Sequence, residues 1–281
     1  MTAISLVTLN FWGTAEPLAA RLDLAIGQLA DRSPDVIALQ EVRAVAPGAP
    51  TTAEHIAAAL DMQALVVPVL SWEAGAYGPG SAAGTEGLAI LSRYPIAEHR
   101  LTPLPEPRPL ERRALLSAAI DHPAAGPIWC HTTHLHYRLA DGLARERQVV
   151  AIDEAITAID SPLPQLLCGD FNATPEHDEI RFLRGLTTLA RRRTHYQDAF
   201  LRVHPSAPGY TWSSENEQTR PLRSLDIDRR IDYIFVTSRT RDGLGTVVDA
   251  GICLAERKDG ICASDHFGVF AEVTITPHNQ P

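Results

Sequence analysis

The feature that most limits how this chain can fold is a strand–helix–strand order at its start. Ile4–Leu9 (ISLVTL) is a β-rich apolar run that stops at Asn10. Leu18 to Leu29 carries apolar residues at 18, 22, 26 and 29, the spacing of one helical face. Ser33-Pro34 ends that helix, because a residue before proline is pushed out of the helical region. Val36–Leu39 (VIAL) then forms a buried strand that runs out at Gln40-Glu41. Such an order calls for two strands with a helix laid across one face of their sheet.

The rest of the chain repeats the theme. Leu65–Val69, Gly87–Leu91, Ala114–Ile120 and Pro127–Thr133 read as strands. Leu143–Ile159 reads as a second helix, with Val149, Ile152 and Ile156 on its apolar face, and Gln165–Cys168, Ile231–Val236 and Gly268–Ile275 as closing strands. Ala44–Thr52 and Trp72–Thr85, rich in Gly, Pro and Ala, are expected to be loops. Two similar halves, each a sheet covered by helices, would stack as an α/β fold, a four-layer α/β/β/α sandwich of two packed mixed sheets. The 281 residues show no linker-like or repetitive tract, so one domain over 1–281 is expected.

The polar residues Asn10, Glu41, His134, Asp170 and Asn172 each fall where an apolar strand runs out. Strand ends are where a rigid sheet can present side chains to a shared cleft. The segments TLN (8–10), LQEVR (39–43), THL (133–135), GDFN (169–172), RIDY (230–233) and SDH (264–266) form an oxygen-rich set with two histidines. Carboxylates and amides suit a hard cation such as Mg²⁺ or Mn²⁺, whereas zinc favours Cys and His. The four cysteines lack paired spacing, lie in apolar stretches and read as buried thiols.

No apolar run approaches the ~20 residues of a membrane helix, and no secretory leader is visible at Met1–Asn10, so a cytoplasmic protein is expected. Acidic residues number 34 against 25 basic, for a formal charge of −9. Proteins that track phosphate backbones carry the opposite balance, so long duplex DNA is not the favoured partner. A monomer is the default expectation.

Together the six segments resemble the endonuclease/exonuclease/phosphatase superfamily, from about Thr8 to His266. Each motif alone is common; six in order, each at a strand end, are specific. The resemblance implies a divalent-metal-dependent phosphoesterase with Mg²⁺, replaceable by Mn²⁺, as cofactor. It implies Glu41 as principal metal ligand, with Asn10 nearby and Asp265 close to the metal or its waters. It implies that Asp170 and Asn172 orient the attacking water and hold the phosphoryl group, and that His266, paired with Asp232, is the catalytic histidine. His134 resembles the phosphate-contacting histidine of the deoxyribonuclease and sphingomyelinase branches. Whether Asp170 or His266 takes the water's proton stays open.

Plainer roles exist for several of these residues. Asn10 could simply form a turn, and Asp170 an Asx turn or a cap of the helix near Pro175, although Thr174 suits that cap. Asp232 in a strand needs a partner, since a buried lone carboxylate is costly. His136 would share the face of His134 if the strand continued. Arg43, Arg93 and Arg191–Arg193 read as solvated charges, and Trp72–Thr85, with Trp72 and Tyr77, as a possible substrate lip. The expected substrate is a small or modest phosphodiester; the alternative is a nuclease on DNA or RNA.

Overall fold

The computed structural model describes residues 2–44, 48–75, 82–106, 111–222, 228–237 and 239–277, with the backbone only at 220–222. In chain order its elements are β1 (Ala3–Asn10), α1 (Leu18–Arg32), β2 (Val36–Arg43), α2 (Thr52–Ala59), β3 (Gln63–Trp72), β4 (Gly84–Ser92), β5 (Ile96–Pro103), β6 (Ala114–His122), β7 (Gly126–His134) and α3 (Gly142–Thr157). There follow β8 (Leu166–Asp170), α4 (Asp178–Leu183), β9 (Gln197–Asp198), α5 (Ala199–Val203), a 3₁₀ turn (Glu217–Leu222), β10 (Asp232–Val236), β11 (Val247–Cys253) and β12 (Gly268–Thr274).

The strands form two six-stranded mixed sheets, ordered β11-β12-β1-β2-β4-β3 and β5-β6-β7-β8-β10-β9. Alternation along each strand sets the layers. In β1, Ile4 and Leu6 face a core shared with Ala118, Cys130, Leu166 and Ile234 of the other sheet. Val7 and Leu9 face outward onto Ala25 and Leu29 of α1 and Ile56 of α2. On the far side Leu115, Leu167 and Phe235 meet Val149, Ile152 and Ile156 of α3. The result is the expected α/β/β/α order. Central strands buried on both faces explain why their sequences read as continuous apolar runs.

Each sheet holds one parallel pair at its centre, and these pairs position the site. Asn10 of β1 lies opposite Gln40 of β2, and His134 of β7 lies opposite Asp170 of β8. β1 and β2 also face β7 and β8 across the inter-sheet core. The polar ends of both parallel pairs therefore come out together on one rim of the sandwich.

Several elements were not visible from periodicity. β5 (IAEHRLTP) is an edge strand exposed on both faces, so it carries no apolar alternation. α2 begins where a loop was expected; its signal is the capping box Thr51-x-x-Glu54, in which Thr51 Oγ1 accepts from the Glu54 N–H and Glu54 accepts in return. The expected loop at 72–85 is narrower, since β3 reaches Trp72 and β4 starts at Gly84; Tyr77 lies outside the described residues. All four cysteines are buried and unpaired.

Candidate active site

Glu41 does not continue β2 regularly. The β2–β4 register shifts between Leu39 and Val42, and Glu41 has a φ of 53°. A bulge re-aims a side chain. Here it turns the carboxylate toward β1, where Asn10 Nδ2 donates to Glu41 Oε1 at 3.1 Å and to Asp170 Oδ2 at 3.1 Å. A single amide thus bridges the two sheets. Asn10 is held in turn by its Oδ1, which accepts from the Trp12 N–H.

Asp170 follows Gly169, whose φ is 137°. A Cβ there would sit 2.0 Å from the Thr133 carbonyl oxygen, so only glycine lets β8 approach β7 at this point. Asp170 Oδ1 accepts from the Asn172 N–H at 2.8 Å, the Asx turn the sequence allowed. That turn coexists with the carboxylate's place in the cluster. Asn172, at φ 49°, donates through Nδ2 to the Leu135 carbonyl. Thr174 does not cap α4; its hydroxyl meets His177 Nδ1.

His266 completes the ring of polar groups. Its Nδ1 is 2.8 Å from Asp232 Oδ2, and its Nε2 lies 3.9 Å from Asp170 Oδ2. His134 Nε2 lies 3.4 Å from the same Asp170 oxygen. Ser264 fixes the histidine loop by donating to the Asn10 carbonyl at 2.6 Å and accepting from the His266 N–H. Thr211 Oγ1 accepts from the N–H groups of Ile231 and Asp232, and the Trp212 ring packs edge-on to His266 with centroids 5.1 Å apart.

The charges follow from this crowding. Burial raises Glu41 to about 7, helped by Glu86 and Asp265 and opposed by Asn10. Burial and Asp232 raise Asp170 to about 6. Burial opposes protonation of His266, but Asp232, Asp170 and Asp265 outweigh it and lift the ring to about 10. Burial, Arg113 and His266 hold His134 well below its ordinary value, so it is neutral. A cluster of buried carboxylates short of positive charge is the environment a cation relieves. Glu41 and Asp265 give it a carboxylate edge that fits a hard divalent ion, and the Asn10 amide steadies Glu41 by donating to it. Asp170, Asp232 and His266 also lie within 4.8 Å of one another. There the short Nδ1–Asp232 bond already engages two of the three donors, so we read that trio as a hydrogen-bonded acid–base group.

The structure thus brings Asn10, Glu41, His134, Asp170, Asn172, Asp232, Asp265 and His266 to one rim. His136 does not join them. β7 ends at His134, so alternation lapses, and His136 is buried beneath the following loop against Asp141 and Glu111. Arg43 pairs with Glu86 at 2.6 Å, and Arg93 binds the Pro34 carbonyl and Ser33 hydroxyl. Arg21 was missed. Buried on α1, it donates to the carbonyls of Phe11, Ala15 and Ala263 and so ties β1's exit to the histidine loop. A polar residue inside an apolar helical face was its only signal.

The model of the Endonuclease/Exonuclease/phosphatase family matches residues 7–266. No curated protein matches the sequence. Among solved structures, an endonuclease/exonuclease/phosphatase from Beutenbergia cavernae is 24% identical with a TM-score of 0.70, covering 97% of this chain and 72% of its own. TDP2 of D. rerio, solved with a single-strand DNA product, is 20% identical with a TM-score of 0.74, covering 98% and 100%. The human Nocturnin catalytic domain with bound sulfate is 16% identical with a TM-score of 0.70, covering 98% and 95%. At these identities the likeness fixes the fold. The family match takes in all six polar segments, and its members are metal-dependent phosphoesterases and nucleases. This chain belongs to the endonuclease/exonuclease/phosphatase family and is a metal-dependent phosphoesterase.

Proposed function

We propose that the chain is a Mg²⁺-dependent hydrolase of small or modest phosphodiesters, with Mn²⁺ able to substitute. The observation that carries this reading is the Asn10 amide, shared at 3.1 Å between Glu41 and Asp170, with His266 Nε2 3.9 Å from the same Asp170 oxygen. Glu41 and Asp265 would hold the ion, with the nearby Asn10 amide fixing Glu41 by its N–H, and the ion would supply Lewis-acid neutralisation of charge on the phosphoryl or leaving oxygen.

The chain's own groups divide the remaining work. Asp170, near neutrality in its affinity for protons, takes the proton of the attacking water. The water oxygen forms the new bond to phosphorus in line with the ester oxygen, whose bond to phosphorus breaks. His266 stays protonated against Asp232 and, through Nε2, stabilises charge on the phosphoryl group. Neutral His134 and the second N–H of the Asn172 amide donate hydrogen bonds to phosphoryl oxygens. Asp232 orients His266 without meeting the substrate.

The nuclease alternative draws on the D. rerio TDP2 structure with single-strand DNA product. The charge of −9 favours the smaller substrate. The test is hydrolysis of bis-p-nitrophenyl phosphate with Mg²⁺ or Mn²⁺ beside an EDTA control. Metal-dependent release of p-nitrophenolate is expected; equal rates with and without EDTA would overturn the metal role.

A further inference from the structure

We propose that the loop between β7 and α3 is an apolar lip that seats the hydrocarbon part of an amphiphilic phosphodiester. The proposal rests on the phosphoesterase reading above and deepens it by naming a substrate class.

Surface loops are usually polar, and exposed apolar residues usually scatter singly. Among the described residues, Leu101, Leu186, Tyr210 and Val248 are scattered in that way. Residues 137–143 differ, because Tyr137, Leu139 and Leu143 are 52%, 58% and 59% exposed within one short stretch. Tyr137 touches the Arg138 guanidinium and the His136 ring on one side, and the rest of the loop's folding is done by other residues. His136 is buried, with Nε2 2.8 Å from Asp141 Oδ2 and its N–H donating to Gln148 Oε1. Arg145, also buried, donates to the carbonyls of His136 and Arg138 and pairs with Glu179 at 2.5 Å. Arg138 Nη2 meets Glu111 at 3.0 Å. The loop is pinned from beneath by polar groups while its Tyr137 and Leu139, with Leu143 of the first turn of α3, face solvent. Preorganised apolar area of this kind binds at little entropic cost.

Its position gives the ligand a polar end. The loop begins one residue after His134, and its Leu135 carbonyl accepts from Asn172. By chain reach, the Tyr137 Cα lies within about 11 Å of the His134 Cα. Arg112, Arg113 and His134 line one recess with Glu86. Arg113 has no carboxylate partner among the described residues, and its charge reaches His134. The Arg138–Glu111 pair ties this loop to the segment that continues into Arg112 and Arg113, so a cationic end at Arg113 and His134 and the apolar Tyr137, Leu139 and Leu143 stand on neighbouring segments. That juxtaposition complements an ester whose phosphate carries a hydrocarbon chain.

The test is a series of p-nitrophenyl alkyl phosphodiesters with methyl, butyl and octyl chains, assayed as monomers with Mg²⁺. Full burial would raise affinity about fourfold per methylene, so an open lip should raise kcat/KM at least about tenfold from methyl to octyl. A Tyr137→Ser/Leu139→Ser/Leu143→Ser variant should flatten that slope. Leu186→Ser, an equally exposed change in the turn after α4, should keep it. A second arm presents the octyl ester in phosphatidylcholine vesicles; a slope kept there as well extends the lip to chains held in a lipid surface. A flat slope in the wild type, or one the triple variant leaves unchanged, overturns the lip. So does a wild-type dimer that the triple variant dissociates, since the loop would then be covered by a second copy. If even the methyl ester is inert, the phosphoesterase reading has failed. Calorimetric binding of octyl phosphate against methyl phosphate, in wild type and variant, then still decides the lip.

Discussion

Asp232 Oδ2 lies 2.8 Å from His266 Nδ1, while Asp232 Oδ1 is buried with no hydrogen-bond partner among the described residues. A half-satisfied buried carboxylate is costly unless it is bound to a cation. The histidine ring is that cation, and the arrangement aims Nε2 outward toward Asp170.

His266→Ala should therefore lower kcat by at least about 10²-fold, the usual scale for a donor that stabilises developing charge. Asp232→Asn should cost less in rate but change the pH profile. The ring's affinity for protons is raised from its ordinary value to about 10 by Asp232, Asp170 and Asp265. Its stabilisation is complete below about 6.5 and is lost as pH rises through about 10. The wild-type rate should fall along an acid limb near 6, where Asp170 protonates, and a basic limb near 10. In Asp232→Asn the basic limb should move toward neutral pH. If the double mutant loses the sum of the two single losses in log rate, the residues do not act as a unit.

Glu41→Gln separates the metal from the fold. Burial, Glu86 and Asp265 raise Glu41 from its ordinary value to about 7, so the metal-free folded state holds a proton that the unfolded chain gives up. Stability of the metal-free protein should accordingly fall as pH rises from about 4.5 to 7 and stay low above it. Glu41→Gln should remove Glu41's share of that decline, leaving the part that Asp170 contributes below about pH 6, and melt at least as high as wild type at pH 8. It should also lose the rise in Tm that Mg²⁺ gives wild type, and lose at least about 10²-fold in turnover. An unchanged Mg²⁺ response in the melts would remove Glu41 from the ion's ligands.

The contrast between Asp170 and Arg21 shows what can be read from such a chain. Asp170, Glu41 and His134 stand at the ends of apolar strands, and a strand's direction tells which end its loop extends, so residues far apart in sequence can be assigned to one rim. Arg21 and Ser264 act through backbone carbonyls of other segments, and those meetings exist only once the sheets have packed. The same holds for edges. β5 gains its place from pairing with β6 and not from burial, so its sequence carries no apolar rhythm. His136 marks the limit of the strand rule: alternation would put it on the face of His134, but β7 ends at His134 and the histidine takes the plainer place in the core.

Gly169→Ala tests whether the close approach of β7 and β8 sets the site. The added methyl would lie 2.0 Å from the Thr133 carbonyl oxygen at a φ of 137°, a region closed to alanine. Relief requires the strands to part where Thr133 pairs with Gly169 and His134 with Asp170. A loss of about 2–4 kcal/mol in denaturant unfolding is expected, together with lower turnover in the molecules that remain folded. A variant as stable and active as wild type would show that the backbone has slack there.

Long nucleic acid offers the last test, because charge and geometry oppose it together. A protein at −9 repels polyanions at long range, and association should be slow unless a local groove is basic. Arg191–Arg193 do not supply that groove. Arg192 is tied to Asp153 and Glu154 of α3. The residues after it, Thr194–Tyr196, line a cavity with Gln165 and Thr237, beyond the ends of β8 and β10 opposite Asp170 and Asp232. Closer to the site is the segment before β10, whose Asn216 Nδ2 donates to the Ser264 carbonyl. It leads into Arg220–Arg223, of which Arg223 lies outside the described residues. We expect measurable cleavage of bis-p-nitrophenyl phosphate and weak or no nicking of supercoiled plasmid at the same enzyme and Mg²⁺ concentrations. Rapid nicking that collapses as salt rises, and with Arg220→Ala/Arg223→Ala, would place a polyanion track on that segment and make the chain a nuclease.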